Sequence, residues 1–286
     1  MKKILVTTDF SSNSKKAIRF AMQLASQNNY KLVFYNVTYV TIQPNAWNTV
    51  YPVNFSHNEI RLNQEKLENL IAKIHSESKL ATISYECECE VVEGPFLNVG
   101  NRIMDYADKI KADFICVSTT GSGAISKLFG STASALILKS TIPVFVIPKN
   151  YILKNFSTIC YASDIENIDV EIKKVVELAD SLKAKVTVLH YDYDSYLKLD
   201  KQKLNNAARK YESEKILFEY KKLNPKYTLN YHIRKDVLLI KPSLVVLFTK
   251  QNRNWFDRLF ETHHSSNMSF NTKAPLLIFR KKEKQS

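Results

Sequence analysis

Short apolar runs closed by polar turns recur along the chain, with helical periodicity between them. Ile4-Leu5-Val6-Thr7-Thr8 reads as a strand closed by Asp9. The polar stretch Ser11-Ser12-Asn13-Ser14 supplies N-cap residues, and Ala17, Ile18, Phe20, Ala21, Leu24 and Ala25 follow at helical spacing. Lys31-Leu32-Val33-Phe34-Tyr35-Asn36-Val37 is a second strand.

The same order returns in the second half. Thr158-Ile159-Cys160-Tyr161-Ala162-Ser163 closes on Asp164, a helical pattern runs through Ile172, Val175, Val176, Leu178 and Ala179, and Lys185-Val186-Thr187-Val188-Leu189-His190 is the next strand. Asp9 and Asp164 are 155 positions apart, while Leu24 and Leu178, like Lys31 and Lys185, are 154 apart. Near-constant offsets across successive elements mark an internal duplication. Asp113–Val117 and Ser243–Leu247 are continuous apolar runs, as are Ile142–Ile147 and Ala274–Phe279. Such runs suit parallel strands covered on both faces.

Each half therefore predicts an alternating β/α unit, giving two tandem open five-stranded parallel α/β sheets flanked by helices. Ile83–Val91 alternates and carries Glu86, Glu88 and Glu90 on one face, which fits a sheet edge. Tyr227–Ile233 is read as its counterpart, which leaves Arg234 to Pro242 too short for a full helix. A strand order 3-2-1-4-5 places the third strand at an edge and a switch point between strands 1 and 4, where open α/β sheets bind ligands. The domain boundary is set between 149 and 150, giving domains 1–149 and 150–286. The apolar fifth strands, Val144–Ile147 and Leu276–Phe279, are expected to pair as an intramolecular pseudo-dimer, with further homodimerisation left open.

Composition narrows the function. The net charge is +13, but lysines alternate with acids along the predicted helices, as on a solvated face, so nucleic-acid binding is not the preferred reading. No apolar run approaches the ~20 residues of a membrane span. MKKILVTTDF reaches an acid too early for a secretory signal, and four cysteines are too few for a disulfide framework, so a cytoplasmic location is expected. There are only five glycines, none after Gly130, where average usage of about 7% would give roughly 20. A backbone phosphate cradle is therefore expected in the first half.

The topology brings Asp9, ending strand 1, to Ser118-Thr119-Thr120-Gly121, ending strand 4. Gly121, Gly123 and Gly130 punctuate the following loop. Gly130-Ser131-Thr132 stands where a helix through Ala135, Leu136, Ile137 and Leu138 begins, a place that favours an anion. A plain turn with a Ser/Thr cap explains the same residues.

These residues and the duplication resemble the universal stress protein family, over essentially the whole chain as two copies. The resemblance rests on the strand-Asp start and a loop of the form G-x2-G-x9-G-[S/T]. It implies ATP binding, with or without magnesium, in the first half. Asp9 would line the pocket, the Val37 backbone would meet adenine, and Gly121, Gly130, Ser131 and Thr132 would hold ribose and phosphates. The chain departs from the family loop twice. Ser118 replaces the first glycine, and Gly121 and Gly130 are separated by eight residues rather than nine, with Gly123 as a local compensation. The second half keeps Asp164 but carries Glu261-Thr262-His263-His264 near the Gly130 position, and is read as a degenerate copy.

Other constellations are weaker. His263-His264 lacks metal-ligand spacing, and Cys87-x-Cys89 reads as two small apolar residues on one strand face. No nucleophile with a positioned base is present in the sequence pattern, so no catalytic residue is assigned. The aromatics Tyr39, Trp47, Tyr51 and Phe55 form a lid, a partner surface or simply packing. The expected function is a stress-response module that binds an adenine nucleotide and signals to an unidentified protein. The alternatives are a ligand-free scaffold with both sites vestigial, and a weak ATP hydrolase.

Overall fold

The computed structural model describes residues 1–40, 53–78, 80, 83–93, 99–119, 131–192, 198–211, 213, 215–224, 226–249 and 273–281. The chain divides into two compact units, Met1–Leu136 and Ile137–Ser286.

In the first unit, β1 (Lys3–Thr7) buries Ile4, Leu5 and Val6 completely. α1 (Ser12–Asn28) starts where the Ser11 side chain accepts from the Ser14 amide, and ends on Asn29 in the left-handed conformation. There follow β2 (Lys31–Val40), α2 (Val53–Ser78), β3 (Tyr85–Glu93), α3 (Val99–Lys109), β4 (Phe114–Ser118) and the start of α4 (Ser131–Lys139). The strand order is β3-β2-β1-β4, and all three pairings are parallel, with registers Leu32↔Tyr85, Lys3↔Lys31 and Ile4↔Phe114. The acidic third strand takes the edge, as its alternation predicts. The Lys3 ammonium donates to the Ile110 carbonyl at 2.6 Å, satisfying a free acceptor just past the end of α3.

The second unit contains β5 (Val144–Ile147), β6 (Thr158–Ser163), α5 (Ile168–Leu182), β7 (Lys185–Asp192), α6 (Lys198–Tyr211), β8 (Ile216–Lys222), α7 (Leu229–Ile240), β9 (Leu244–Thr249) and β10 (Leu276–Arg280). Its strand order is β5-β10-β9-β6-β7-β8. Strands β8-β7-β6-β9-β10 reproduce the order 3-2-1-4-5 in parallel. Within this unit β5 runs antiparallel to β10, with Leu276 opposite Val146 and Ile278 opposite Val144.

One element differs from the sequence reading. Tyr227–Ile233 is not a strand: the third strand of the second half is β8, and residues 229–240 form α7. The Thr228 side chain caps that helix by accepting from the Tyr231 amide at 3.3 Å. Ile233, Asp236 and Val237 are buried at i, i+3 and i+4, a helical period that the tyrosine-rich start of the segment obscures. Because the strand lies earlier, there is room for a full helix before β9. Among the described residues, no helix is long and apolar enough to cross a membrane.

Candidate functional site

Asp9 follows the carboxyl end of β1, in a turn held by short-range hydrogen bonds. Its Oδ1 accepts from the Ser11 amide at 3.1 Å. The Thr8 hydroxyl accepts from the Phe10 amide at 3.1 Å and pairs with the Ser14 hydroxyl at 2.9 Å. Phe10 itself has φ 63°, in the left-handed region that a bulky residue rarely enters. The Lys66 ammonium stands 4.2 Å above the centre of its ring. From β2, Asn36 Nδ2 donates to the Thr8 carbonyl at 2.8 Å, while Asn36 Oδ1 accepts from the Thr38 hydroxyl at 2.7 Å. The backbone before Asp9 is thereby fixed on both sides.

Continuing the register Thr7↔Tyr35 by two residues brings Asp9 level with Val37, and continuing Val6↔Cys116 by two brings Thr8 level with Ser118. Asp9 is exposed, Val37 half-buried and Ser118 buried. Asp9 just past β1, Val37 within β2 and Ser118 at the end of β4 therefore stand on three adjacent parallel strands, toward their carboxyl ends. Ser131 and Thr132 form the first turn of α4, exposed and half-buried respectively. Gly121, Gly123 and Gly130 lie outside the described residues, as do Glu261, Thr262, His263 and His264. Tyr39 belongs to β2 and Phe55 to α2, while Trp47 and Tyr51 lie outside the described residues.

Beside the site, a polar cluster ties β2 to β3 and α3. The buried Tyr35 hydroxyl donates to Glu90 Oε2, and Arg102 Nη1 lies 3.5 Å from Glu90 Oε1. The Tyr35 and Tyr106 rings stack at 4.3 Å and 2°. Burial, with Glu90 adding to it, pushes the Tyr35 hydroxyl far above its ordinary value, so it stays a donor. In the second unit the corresponding cluster has the opposite polarity. Tyr191 donates to Asp236 on α7 at 2.7 Å, and Lys221 on β8 lies 2.8 Å from the same carboxylate and 3.2 Å from Glu219.

The turn around Asp164 copies the turn around Asp9. Ser163 Oγ accepts from the Ile165 amide at 3.0 Å, Asp164 Oδ1 accepts from the Glu166 amide at 3.2 Å, and Ile165 has φ 56°. His190 Nδ1 lies 3.0 Å from the Ser163 carbonyl, in the place of Asn36. The surroundings are nevertheless different. Lys281, just past β10, is buried and pairs with Asp164. Its ammonium is also 3.6 Å from Glu171 and 3.8 Å from Glu166. Tyr161 donates to Glu171 and lies 3.0 Å from the Ser163 hydroxyl. Sequence reasoning missed Lys281. Its repeat counterpart is Lys149, each standing six residues after a proline, and the signal was the acid Glu171 appearing where α1 has Ala17.

The cysteines of β3 are poor chemical groups. Burial first, then Glu68 and the neighbouring thiol, pushes Cys87 up to about 12. Burial with Glu88 and Glu68 pushes Cys89 up to about 11.

The sequence signature of the Universal stress protein family matches residues 1–148. A universal stress protein of Methanocaldococcus jannaschii is 27% identical over 158 residues, 52% of this chain and 82% of that protein. Among solved structures, a universal stress protein from Archaeoglobus fulgidus aligns over 97% of this chain and 98% of its own, with a TM-score of 0.67 at 14% identity. A functionally unknown protein from Pseudomonas aeruginosa aligns over 98% and 92%, with a TM-score of 0.55 at 13% identity. At such identities the structural likeness establishes the fold alone. With the family signature spanning more than half of the 286 residues, the chain belongs to the universal stress protein family.

Proposed function

We propose that this is a cytoplasmic, nucleotide-responsive binding module that takes ATP, with or without Mg²⁺, in its first copy, and that its second copy is a degenerate scaffold. The observation that carries the reading is the convergence of Asp9, Val37 and Ser118 on the carboxyl ends of β1, β2 and β4, the place where open α/β sheets hold ligands. In this reading Asp9 lines the pocket and the Val37 backbone meets adenine. Gly121, Gly123, Gly130, Ser131 and Thr132 hold ribose and phosphates, the phosphates aided by the dipole of α4. The pairing of Asp164 with Lys281 supports loss of the ligand in the second copy. The antiparallel register of β5 and β10 supports the further proposal that the fifth strands of the two repeats join as a pseudo-dimer.

Thermal melting with ATP tests the nucleotide reading. At ATP about 100-fold over its dissociation constant, linkage adds roughly 2.7 kcal/mol, a rise in melting temperature on the order of 5 °C. Asp9→Ala and Gly130→Glu abolish the rise. Asp164→Ala starts lower, because buried Lys281 loses a partner, but keeps it. The absence of a rise at millimolar ATP favours a ligand-free scaffold, the reading suggested by Ser118 and the shortened loop. Multiple turnovers of ATP would instead make the protein a hydrolase.

A further inference from the structure

Gly100 is the second residue of α3, and its backbone does not need glycine's freedom: it lies inside the helix, without positive φ. Glycine within a helix is unfavourable relative to alanine. What requires it is space. A Cβ built on Gly100 would lie 2.8 Å from Ala135 Cβ and 4.0 Å from the Thr132 carbonyl oxygen. Ordinary contacts of this kind begin near 3.4 Å. The obstructing atom is the root of a helical side chain, not the end of a flexible one, so the two helices would have to separate.

The contact joins the first turn of α3 to the second turn of α4. Gly100, Ile103 and Ala107 form the buried face of α3. On α4, Ala135 stands one turn after Ser131 and Thr132, the residues assigned to phosphate. We infer that Gly100 is a positioning residue for the anion-binding end of α4, setting the depth at which the Ser131 and Thr132 amides and hydroxyls meet the phosphates. This rests on the nucleotide reading above. Binding groups need to be held within ~0.5 Å of their productive positions, and the displacement demanded by one methyl group is of that order. The nucleoside end, at Asp9 and Val37, lies on other elements and should not feel the change.

Calorimetric titration of the full chain with ATP and, separately, with adenosine tests this. Gly100→Ala is expected to weaken ATP by roughly 10-fold or more, with adenosine changed less than about threefold. The double variant Gly100→Ala/Ala135→Gly moves the missing methyl from one helix to the other, and is expected to bind ATP within about threefold of wild type. Unchanged ATP affinity in Gly100→Ala overturns the inference. So does an equal loss for ATP and adenosine, which marks a merely structural role, or a double variant that does not recover. If Gly100→Ala does not fold, the double variant decides by the same criterion. Failure of the nucleotide reading itself is seen separately, as wild type that binds neither compound, and it removes this inference too.

Discussion

Lys281 pairs with Asp164: its side chain is 4% exposed, and its ammonium meets both oxygens of an acid whose side chain is 45% exposed. In the first copy the equivalent acid, Asp9, closes a turn with the same hydrogen-bond pattern. In the second copy the chain's own Lys281 engages the acid.

That internal cluster makes stability depend on pH through Glu171. Burial raises its carboxyl above the ordinary glutamate value, against the opposing hydrogen bond from Tyr161 and the charge of Lys281. A raised value means that the folded state holds the proton more tightly than the unfolded one. The contribution is therefore fully present below the unfolded value, about pH 4.3, and is lost as pH rises through the folded value. Urea midpoints measured upward from pH 4 should fall more steeply for wild type than for Glu171→Gln. Parallel curves would show that Glu171 is not the group responsible.

The thiols should be inert in the native protein. Cys87, Cys89 and Cys160 are pushed up to about 12, 11 and 12, burial being the largest cause for each, and burial raises Cys116 further. At pH 8 such groups are about 0.1% thiolate or less. Ellman's reagent should react at least ~10²-fold more slowly with the native chain than with the urea-unfolded chain. A rapidly reacting native thiol would contradict these environments.

Helix ends offer stabilising substitutions. Asn29, Lys183 and Lys241 close α1, α5 and α7 with φ of 51°, 53° and 52°, a conformation that glycine adopts without a Cβ penalty. Lys183→Gly and Lys241→Gly should each stabilise by about 0.5–1 kcal/mol, after allowance for the freer unfolded chain. The readout is a melting temperature about 2 °C higher for each. A lower value would mean that the lysine side chains contribute more than the backbone strain costs.

The same positions explain what was legible in the sequence. Strands β1, β4, β9 and β10 are largely buried on both faces, so they appear as near-continuous apolar runs of the kind that parallel sheets bury. β8 is a half-exposed edge with Leu217 at the surface, and its weak alternation lost out to the tyrosines that begin α7. Glycine scarcity was not informative about backbone conformation, since Phe10, Asn29, Lys111, Ile165, Lys183 and Lys241 all take positive φ without it. Lys281 was not legible as a site residue, because it reaches Asp164 across 117 positions and nothing local marks the pair. The placement of Asp9, Val37 and Ser118 on neighbouring strands was legible, because strand order alone sets it.

Glu90 with Arg102 and Lys221 with Asp236 reverse the sign of one pair between the copies. A duplicated chain emerging from the ribosome risks exchanging equivalent helices between its halves, since their apolar strands are alike. Docking α3 on β8 would set Arg102 against Lys221, and docking α7 on β3 would set Asp236 against Glu90. Like charges in partly dry surroundings repel where the native pairs attract. The inverted pairs therefore disfavour such an exchange, while the two repeats share a hydrophobic plan.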